Sequence, residues 1–283
     1  MAQILDGKQV VVALNTRLQE QVANLHTKGI KPTLAIVRVG ERADDISYER
    51  GVTKRCETIG VGVEHFILPT DVKQAELLRH IHEINNNPKL HGILLFRPLP
   101  DHIDDLAVRK AISPDKDVDG VTDESLTGVF TSSNVGFAPA TAEACIEVLD
   151  HFGYQLDGKH AVVVGRSLVV GRPLAMMLLR RHATVTVCHR HTEDLAGLTR
   201  QADIVLVAVG KANLVGAEHL KAGQVVIDVG INVDKDGKLC GDVDFAAAEQ
   251  IVAAITPVPG GIGTVTTSVL VKHVIEAAAR QQV

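Results

Sequence analysis

Short apolar segments that alternate with amphipathic helical segments constrain the fold of this chain more than any other feature. The runs TLAIVRVG at 33–40 and HGILLF at 91–96 have the length and the aliphatic, β-branched content of buried strands. Apolar residues at helical spacing predict helices at 8–25, 44–59 and 72–86, and a further apolar run predicts a strand at 61–68. This alternation predicts parallel sheets covered by helices, which is an α/β fold.

The alternation resumes in the second half of the chain and indicates a second domain. Apolar runs there predict strands at 160–165, 183–189, 203–209 and 224–230, and helical spacing predicts helices at 142–149, 171–181 and 267–280. A length of 283 residues also exceeds the usual size of one domain. We predict two α/β domains with a cleft between them, one of residues 1–141 plus 267–283 and one of residues 142–266.

Composition excludes several classes of protein. The formal net charge of −5 lacks the cationic excess that binding to nucleic acid or to an anionic membrane requires. We find no apolar run of the length of a membrane span and no secretory signal pattern at the amino terminus. The four cysteines are widely spaced, so neither a disulfide framework nor a zinc site is predicted. We therefore expect a cytoplasmic protein that acts on a small molecule.

The segment VVVGRSLVVGRP at 162–173 is the strongest motif of the second domain. An apolar strand ends at Gly165 and a helix begins near Gly171, so backbone amides at the helix start can hold a pyrophosphate. The spacing departs from GxGxxG, because Ser167 replaces the second glycine and Gly171 falls one residue late. The order of strand, turn and helix nevertheless favours a Rossmann dinucleotide-binding domain over a tight turn that binds nothing.

The end of the next strand predicts which nicotinamide cofactor binds. It carries no Asp or Glu for the ribose hydroxyls of NAD; His189 and Arg190 stand there instead, and Arg166 lies in the first turn. Because arginine can clamp a 2′-phosphate through two hydrogen bonds, these residues favour NADP over NAD. Two alternatives stay open: Arg190 as a solvated loop charge, and a ternary arrangement of NAD with a bound phosphate.

Six segments match one known family in chain order: VGERADDISYERGVTKRCETIG at 39–60, GILLFRPLP at 92–100, PDKDVDG at 114–120, GRSLVVGRP at 165–173, DVGIN at 228–232 and TPVPGGIGTVTTSVL at 256–270. Over essentially its whole length the chain resembles the methylenetetrahydrofolate dehydrogenase/cyclohydrolase family. The resemblance implies a folate-binding first domain and a homodimer. It also implies oxidation of 5,10-methylenetetrahydrofolate to 5,10-methenyltetrahydrofolate, by hydride transfer to NAD(P), in one-carbon folate metabolism.

The resemblance also implies roles for particular residues. Tyr48 matches a tyrosine that packs along the pterin and aminobenzoyl groups, and Asp119 matches a carboxylate that hydrogen-bonds the pterin ring, whose edge presents N–H donors. The alternative for Tyr48 is a half-buried packing residue, and for Asp119 a turn residue. The remaining residues are assigned to the wall of the substrate site, at Pro259, Gly260 and Gly261, and to the cofactor site, at Ile231.

Two positions depart from the family pattern. Bifunctional members have a lysine four residues after the tyrosine and a glutamine that hydrogen-bonds it, whereas this chain has Val52 and Phe96. Hydride transfer needs no general acid or base, but hydrolysis of the methenyl product does. We therefore predict that cyclohydrolase activity is absent or weak, with a bifunctional enzyme as the alternative.

No metal site is predicted, because the histidines at 80–82 and 189–191 lack a third ligand at a recognisable spacing. Two other functions compete with the folate enzyme. One is a nucleotide-binding homologue that has lost its chemistry. The other is a different two-domain dehydrogenase resembling shikimate dehydrogenase, although the Lys and Asp pair expected of that enzyme is not evident.

Overall fold

The structure, a computed structural model, describes residues 1–281. Its strands are β1 (Gln3–Ile4), β2 (Thr33–Val39), β3 (Gly62–Leu68), β4 (Gly92–Leu95), β5 (His160–Val164), β6 (Thr184–Cys188), β7 (Ile204–Val207), β8 (Val225–Asp228), β9 (Asn232–Val233), β10 (Leu239–Cys240) and β11 (Ala254–Ile255). Its helices are α1 (Gly7–Thr27), α2 (Ala43–Ile59), α3 (Gln74–Asn86), α4 (Asp105–Ala111), α5 (Asp123–Thr131), α6 (Ala140–His151), α7 (Gly171–Arg180), α8 (Leu195–Gln201), α9 (Phe245–Glu249) and α10 (Ile262–Arg280). Among the described residues no helix is long and apolar enough to span a bilayer.

The chain divides into two compact units. Unit 1 comprises Met1–Val12 and Thr141–Thr266, and unit 2 comprises Ala13–Ala140 and Thr267–Val283. The predicted boundaries were wrong for the first twelve residues, which lie with unit 1 because β1 pairs in parallel with β11. Two-residue strands of this kind leave too short an apolar pattern to be recognised in a sequence.

Unit 1 is built on a six-stranded parallel sheet with the order β1-β11-β8-β7-β5-β6. All four residues of β7 and of β8 are buried, which is why these strands are apolar in the sequence except for Asp228 at the end of β8. The strand order reverses at β5, between β7 and β6, and the loop that follows β5 leads into α7. An order of this kind, with helices between the strands, confirms the predicted dinucleotide-binding fold.

Unit 2 is built on a three-stranded parallel sheet with the order β3-β2-β4. Six of the seven residues of the central strand β2 are buried, and all four residues of β4 are buried. Helix α3 packs its apolar face, formed by Leu77, Ile81 and Ile84, into the same core. The predicted α/β fold class is thus confirmed in both units.

Candidate active site

The loop between β5 and α7 requires glycine at both of its ends. Gly165 has a φ of 127°, and a Cβ there would lie 2.2 Å from the carbonyl oxygen of Ala208. A Cβ on Gly171 would lie 2.1 Å from the carbonyl oxygen of Gly165. Because backbone atoms leave no room at either position, only glycine lets the loop close against the first turn of α7.

The start of α7 carries no carboxylate that would compete with a phosphate group. Its first turn contains no acidic residue, and Val170 supplies no side-chain cap. Ser167 accepts the amide hydrogen of Val170 on its hydroxyl at 3.1 Å, and the side chains of Arg166 and Ser167 are exposed. Amides at a helix start, together with the helix dipole, bind phosphate groups. The residues present therefore fit the pyrophosphate of a dinucleotide.

Two arginines lie beyond the ends of neighbouring strands. In the register of β5 and β6, Val164 pairs with Cys188, and Arg166 and Arg190 each follow these residues by two positions. Paired strands are about 4.8 Å apart, so both guanidinium groups belong to the same edge of the sheet. Arg190 donates from Nε to Nε2 of His191 at 3.1 Å. His189, partly buried, lies between Arg190 and the end of β6.

Two buried aspartates that the sequence analysis missed hold the loops beyond β7 and β8. The carboxylate of Asp228 accepts the amide hydrogens of Gly230, Asp242 and Val243 at 2.9 Å, 3.0 Å and 2.9 Å. Burial raises the pKa of Asp228 to about 6 despite these bonds. The carboxylate of Asp242 accepts the amide hydrogens of Val209, Gly210 and Lys211. An aspartate directly after the apolar run VVI is the sequence signal that could have pointed to Asp228.

The other predicted residues of unit 1 lie in two loops. Ile231 follows β8, and 63% of its surface is exposed. Gly260 has a φ of 103° and accepts the amide hydrogen of Gly7 at 2.9 Å. A Cβ on Gly261 would lie 2.4 Å from the carbonyl oxygen of Pro257. Gly260 is therefore favoured by its backbone conformation and Gly261 by close packing. Both lie in unit 1 with Pro259, whereas Tyr48 and Asp119 lie in unit 2.

Tyr48 lies on α2 and is held at its ring and at its hydroxyl. The ring packs edge-on against Phe96, with centroids 5.9 Å apart and an interplanar angle of 70°. The hydroxyl hydrogen-bonds the side chain of Thr267, on α10. Burial, and then the charge of Asp119, raise the pKa of Tyr48 above its usual range. The side chain keeps 39% of its surface exposed, so part of a neutral phenol is open to a ligand.

Asp119 and Asp117 have different surroundings although only one residue separates them. Asp117 is buried and accepts hydrogen bonds from the hydroxyls of Thr122 and Ser125 at 2.7 Å and 2.6 Å, so it is a structural turn residue. For Asp119, burial and then the charge of Asp117 raise the pKa to about 7, against the opposing charges of His273 and Arg97. The Asp119 carboxyl group therefore changes protonation near neutral pH.

Helix α10 supplies two neighbours of these residues that the sequence analysis did not single out, Thr267 and His273. The side chain of Thr267 hydrogen-bonds the hydroxyl of Tyr48, and the charge of His273 acts to lower the pKa of Asp119. His273 is 1% exposed, and its Nδ1 donates to the carbonyl oxygen of Val118 at 2.8 Å. Both lie about 150 residues or more beyond their partners in the chain, so no local pattern could have revealed the contacts.

The two positions that depart from the family pattern are both buried. Val52, on α2, is 0% exposed, and Phe96, directly after β4, is 8% exposed. Arg97, the next residue, is not a substitute for the missing glutamine. Its guanidinium donates two hydrogen bonds to Asp105, at 2.6 Å and 2.9 Å.

A buried ion pair fixes α2 on the sheet of unit 2 and thereby orients Tyr48. Arg38, on β2, donates from Nε to the carboxylate of Glu49 at 2.6 Å, and the other carboxylate oxygen lies 2.9 Å from Nδ1 of His65. Arg38 is 6% exposed and Glu49 is 9% exposed. Because Glu49 directly follows Tyr48, loss of the pair would loosen the turn that carries the tyrosine.

We expect Glu49→Ala to lower the free energy of unfolding by about 3 kcal/mol or more, because it leaves the buried Arg38 charge without its partner. Glu57→Ala is the matched control, since Glu57 lies on an exposed part of the same helix. Urea denaturation measures both variants. Equal stability of the two would contradict the role given to the ion pair.

Within residues 1–281, no group of three or more His, Cys, Asp or Glu side chains is arranged to hold a metal ion.

Two family models cover most of the chain. Residues 5–119 match the catalytic domain of tetrahydrofolate dehydrogenase/cyclohydrolase, and residues 139–282 match the NAD(P)-binding domain of the same family. Among curated relatives, the bifunctional protein FolD of Carboxydothermus hydrogenoformans is 50% identical over 279 residues, covering 98% of this chain and 97% of that protein. The bifunctional protein FolD of Clostridium kluyveri is 44% identical, covering 98% of each chain.

Solved structures agree with these matches. The bifunctional FolD methylenetetrahydrofolate dehydrogenase/cyclohydrolase of Campylobacter jejuni superimposes with a TM-score of 0.96 at 38% identity, covering 99% of each chain. The Trypanosoma brucei methylenetetrahydrofolate dehydrogenase-cyclohydrolase, solved with NADP and an inhibitor, gives a TM-score of 0.91 at 37% identity, covering 99% of this chain and 98% of that one.

These relatives correct one expectation. Val52 and Phe96 led us to predict that cyclohydrolase activity is absent or weak, but relatives matching nearly the whole chain are named as bifunctional. The prediction was wrong in treating two side chains as sufficient to decide an activity. Water attack on the methenyl carbon needs a proton-transferring group near the substrate, and polar side chains other than a lysine and glutamine pair can supply it.

Proposed function

The chain belongs to the tetrahydrofolate dehydrogenase/cyclohydrolase family, and on that premise we propose that it oxidises 5,10-methylenetetrahydrofolate to 5,10-methenyltetrahydrofolate in one-carbon metabolism. NAD(P), when bound to unit 1, accepts the hydride. The observation that carries the proposal is the presence in one chain of two features. They are the glycine-bounded loop before α7 and the electrostatic proximity of Asp119 to the half-exposed Tyr48.

The residues of unit 2 have positioning roles in this reaction. The hydride leaves the methylene carbon with its electron pair, and the adjacent folate nitrogens stabilise the resulting cation, so no side chain needs to remove a proton in this step. The exposed part of the Tyr48 ring offers a surface for the flat pterin and aminobenzoyl groups. The ionised carboxylate of Asp119 accepts hydrogen bonds from the N–H groups of the pterin edge.

The chain would also hydrolyse methenyltetrahydrofolate, as the names of the bifunctional relatives state for those proteins. Val52 and Phe96 carry no proton-transferring group, so hydrolysis would depend on other polar groups close to Tyr48, among them Asp119. Loss of methenyltetrahydrofolate, followed by absorbance and compared with the spontaneous rate, tests this activity. A rate equal to the spontaneous one would remove hydrolysis from the proposal and leave the oxidation unaffected.

The proposed oxidation is tested by adding methylenetetrahydrofolate to the protein with NADP or with NAD and following the fluorescence of the reduced nicotinamide. Steady reduction that depends on both the protein and the folate supports the proposal. No reduction with either cofactor would favour a nucleotide-binding homologue without catalytic activity.

NADP is the proposed cofactor, because Arg166 and Arg190 place two guanidinium groups beyond the paired ends of β5 and β6. We expect Arg190→Gln to lower kcat/KM for NADP about 10-fold and to change kcat/KM for NAD little, since only NADP carries the 2′-phosphate. Arg180→Gln, which removes the same charge from the last turn of α7, is the control.

The comparison of cofactors must use phosphate-free buffer. A kcat/KM for NAD equal to or above that for NADP would overturn the proposed preference. If added phosphate accelerates only the NAD reaction, the ternary arrangement of NAD with phosphate replaces the proposed preference for NADP.

A homodimer is the proposed assembly. Strand β6 is an edge of the sheet in unit 1, and Val187 on this strand and Leu179 on the neighbouring α7 are 40% and 55% exposed. An open strand edge bordered by apolar side chains favours pairing with a second copy. A mass near 30.3 kDa in light scattering at micromolar concentrations would contradict the dimer.

A further inference from the structure

We propose that unit 2 contains a second small-molecule site, which binds a ligand carrying an oxyanion such as a carboxylate or a phosphate. The site is a cavity of about 540 Å³. This volume is within the range of small-ligand pockets. Its lining includes Lys31, Thr33, Glu64, Lys89 and His91.

His91 supplies a hydrogen-bond donor that the protein itself does not use. The residue is 6% exposed, and its Nδ1 accepts the amide hydrogen of Thr33 at 3.1 Å, so in the neutral ring the proton is on Nε2. Burial, and then the charge of Lys116, lower the pKa of His91 and favour this neutral form. Among residues 1–281 Nε2 makes no hydrogen bond, and because His91 lines the cavity, this donor is available to a ligand there.

The charges around the cavity are predominantly positive. Lys31 and Lys89 line it, and within the described residues neither has a carboxylate in ion-pair contact. The charge of Lys116 acts to lower the pKa of His91. Its Nζ donates to the carbonyl oxygens of Ile84 and Asn87, at 2.9 Å and 2.8 Å, rather than to a carboxylate. Glu64 is the opposing charge on the wall. An oxyanion would thus gain two ammonium groups and one N–H donor against a single carboxylate.

The cavity is separate from the proposed folate site. It lies at the amino ends of the strands of unit 2, where Thr33 begins β2 and His91 immediately precedes β4. Phe96, which contacts Tyr48, directly follows the opposite end of β4. Four residues of strand span about 13 Å, so a small ligand in the cavity would not contact Tyr48.

Calorimetric titration of the full-length protein with inorganic phosphate, malonate and adenosine monophosphate tests the proposal and distinguishes the two kinds of oxyanion. At least one probe should bind with a dissociation constant of about 1 mM or below. We expect His91→Asn to weaken binding about 5-fold, because asparagine can still accept the Thr33 amide hydrogen but cannot replace the Nε2 donor.

Variants of the charged residues give effects of opposite sign. Lys89→Gln should weaken binding about 5-fold, and Glu64→Gln should strengthen it about 3-fold. Lys28→Gln, an exposed lysine that does not line the cavity, is the control and should have no effect. All of these side chains except His91 are exposed, so their variants test the site without disturbing the core.

Phosphate groups could also bind the loop before α7, so Arg190→Gln is titrated in parallel. Binding that falls with Arg190→Gln but not with Lys89→Gln would overturn the proposal. So would the absence of binding by all three probes, or an equal response of the Lys89→Gln and Lys28→Gln variants. These outcomes are independent of the folate reaction, because no substrate or nicotinamide cofactor is present.

Discussion

Asp119→Asn is expected to lower kcat/KM for methylenetetrahydrofolate about 100-fold or more, in a protein that remains folded. A carboxylate offers only acceptors to the N–H groups of the pterin edge, whereas an asparagine amide turns one of its two groups into a competing donor. Asp115→Asn, an exposed change in the preceding turn, is the control and should leave kcat/KM unchanged. Steady-state kinetics at pH 8 make the comparison.

The same residue predicts the pH dependence of the reaction. Burial and the charge of Asp117 raise the pKa of Asp119 to about 7, so below that pH the carboxyl group is increasingly protonated and loses acceptor capacity. The value of kcat/KM should therefore rise with pH through about 7 and level off above it. A flat profile between pH 6 and pH 8, or full activity of Asp119→Asn, would contradict the role assigned to this carboxylate.

Ionisation of Asp119 should lower the free energy of unfolding, although it raises kcat/KM. Because the pKa in the folded state is above that in the unfolded chain, the carboxyl group favours folding when protonated, and this contribution is lost as the pH rises through about 7. Asp119→Asn, which remains uncharged, should accordingly gain stability relative to the original protein at pH 8. Urea denaturation at pH 5 and pH 8 measures this difference.

Gly171→Ala is the second change with a large expected effect. The new Cβ would lie 2.1 Å from the carbonyl oxygen of Gly165, and a backbone atom cannot move aside as a flexible side chain can. We expect the loop before α7 to open and the affinity for NADPH to fall about 100-fold, since the amides at the helix start lose their arrangement. Fluorescence titration with NADPH measures the affinity.

The matched control is Gly51→Ala, also a glycine within a helix. A Cβ at Gly51 meets nothing within 4 Å, and alanine favours the helix, so this variant should be at least as stable as the original protein and bind NADPH equally. A folded Gly171→Ala protein with unchanged affinity for NADPH would contradict the account of the loop.

Longer elements of the fold could be predicted from sequence because they bury continuous or periodic apolar faces. Strand β2 was predicted at 33–40 and observed at Thr33–Val39, and helix α2 was predicted at 44–59 and observed at Ala43–Ile59. Helix α10 begins at Ile262, five residues before the predicted start and directly after Gly260 and Gly261.

Short helices were missed although each begins with a recognisable cap. Asp104 accepts the amide hydrogens of Leu106 and Ala107 at the start of α4, and Thr122 accepts that of Ser125 at the start of α5. These helices have seven and nine residues, too few for the apolar repeat on which the sequence analysis depended. Attention to caps rather than to periodicity would have found them.

The candidate site was only partly predictable. Tyr48 and Asp119 were identified through family resemblance, but their coupling to Thr267 and His273 arises from the packing of α10 and has no signature in the local sequence. The error on cyclohydrolase activity has a related cause. Two aligned positions were interpreted without the other polar groups that surround Tyr48 in the fold.

Methylenetetrahydrofolate that carries deuterium at its bridging carbon tests the proposed hydride transfer. We expect the reduced nicotinamide to carry the deuterium at C4, and one methenyltetrahydrofolate to form for each cofactor reduced, before any hydrolysis. Reduced cofactor without deuterium, or the absence of protein-dependent reduction with both NADP and NAD, would contradict it.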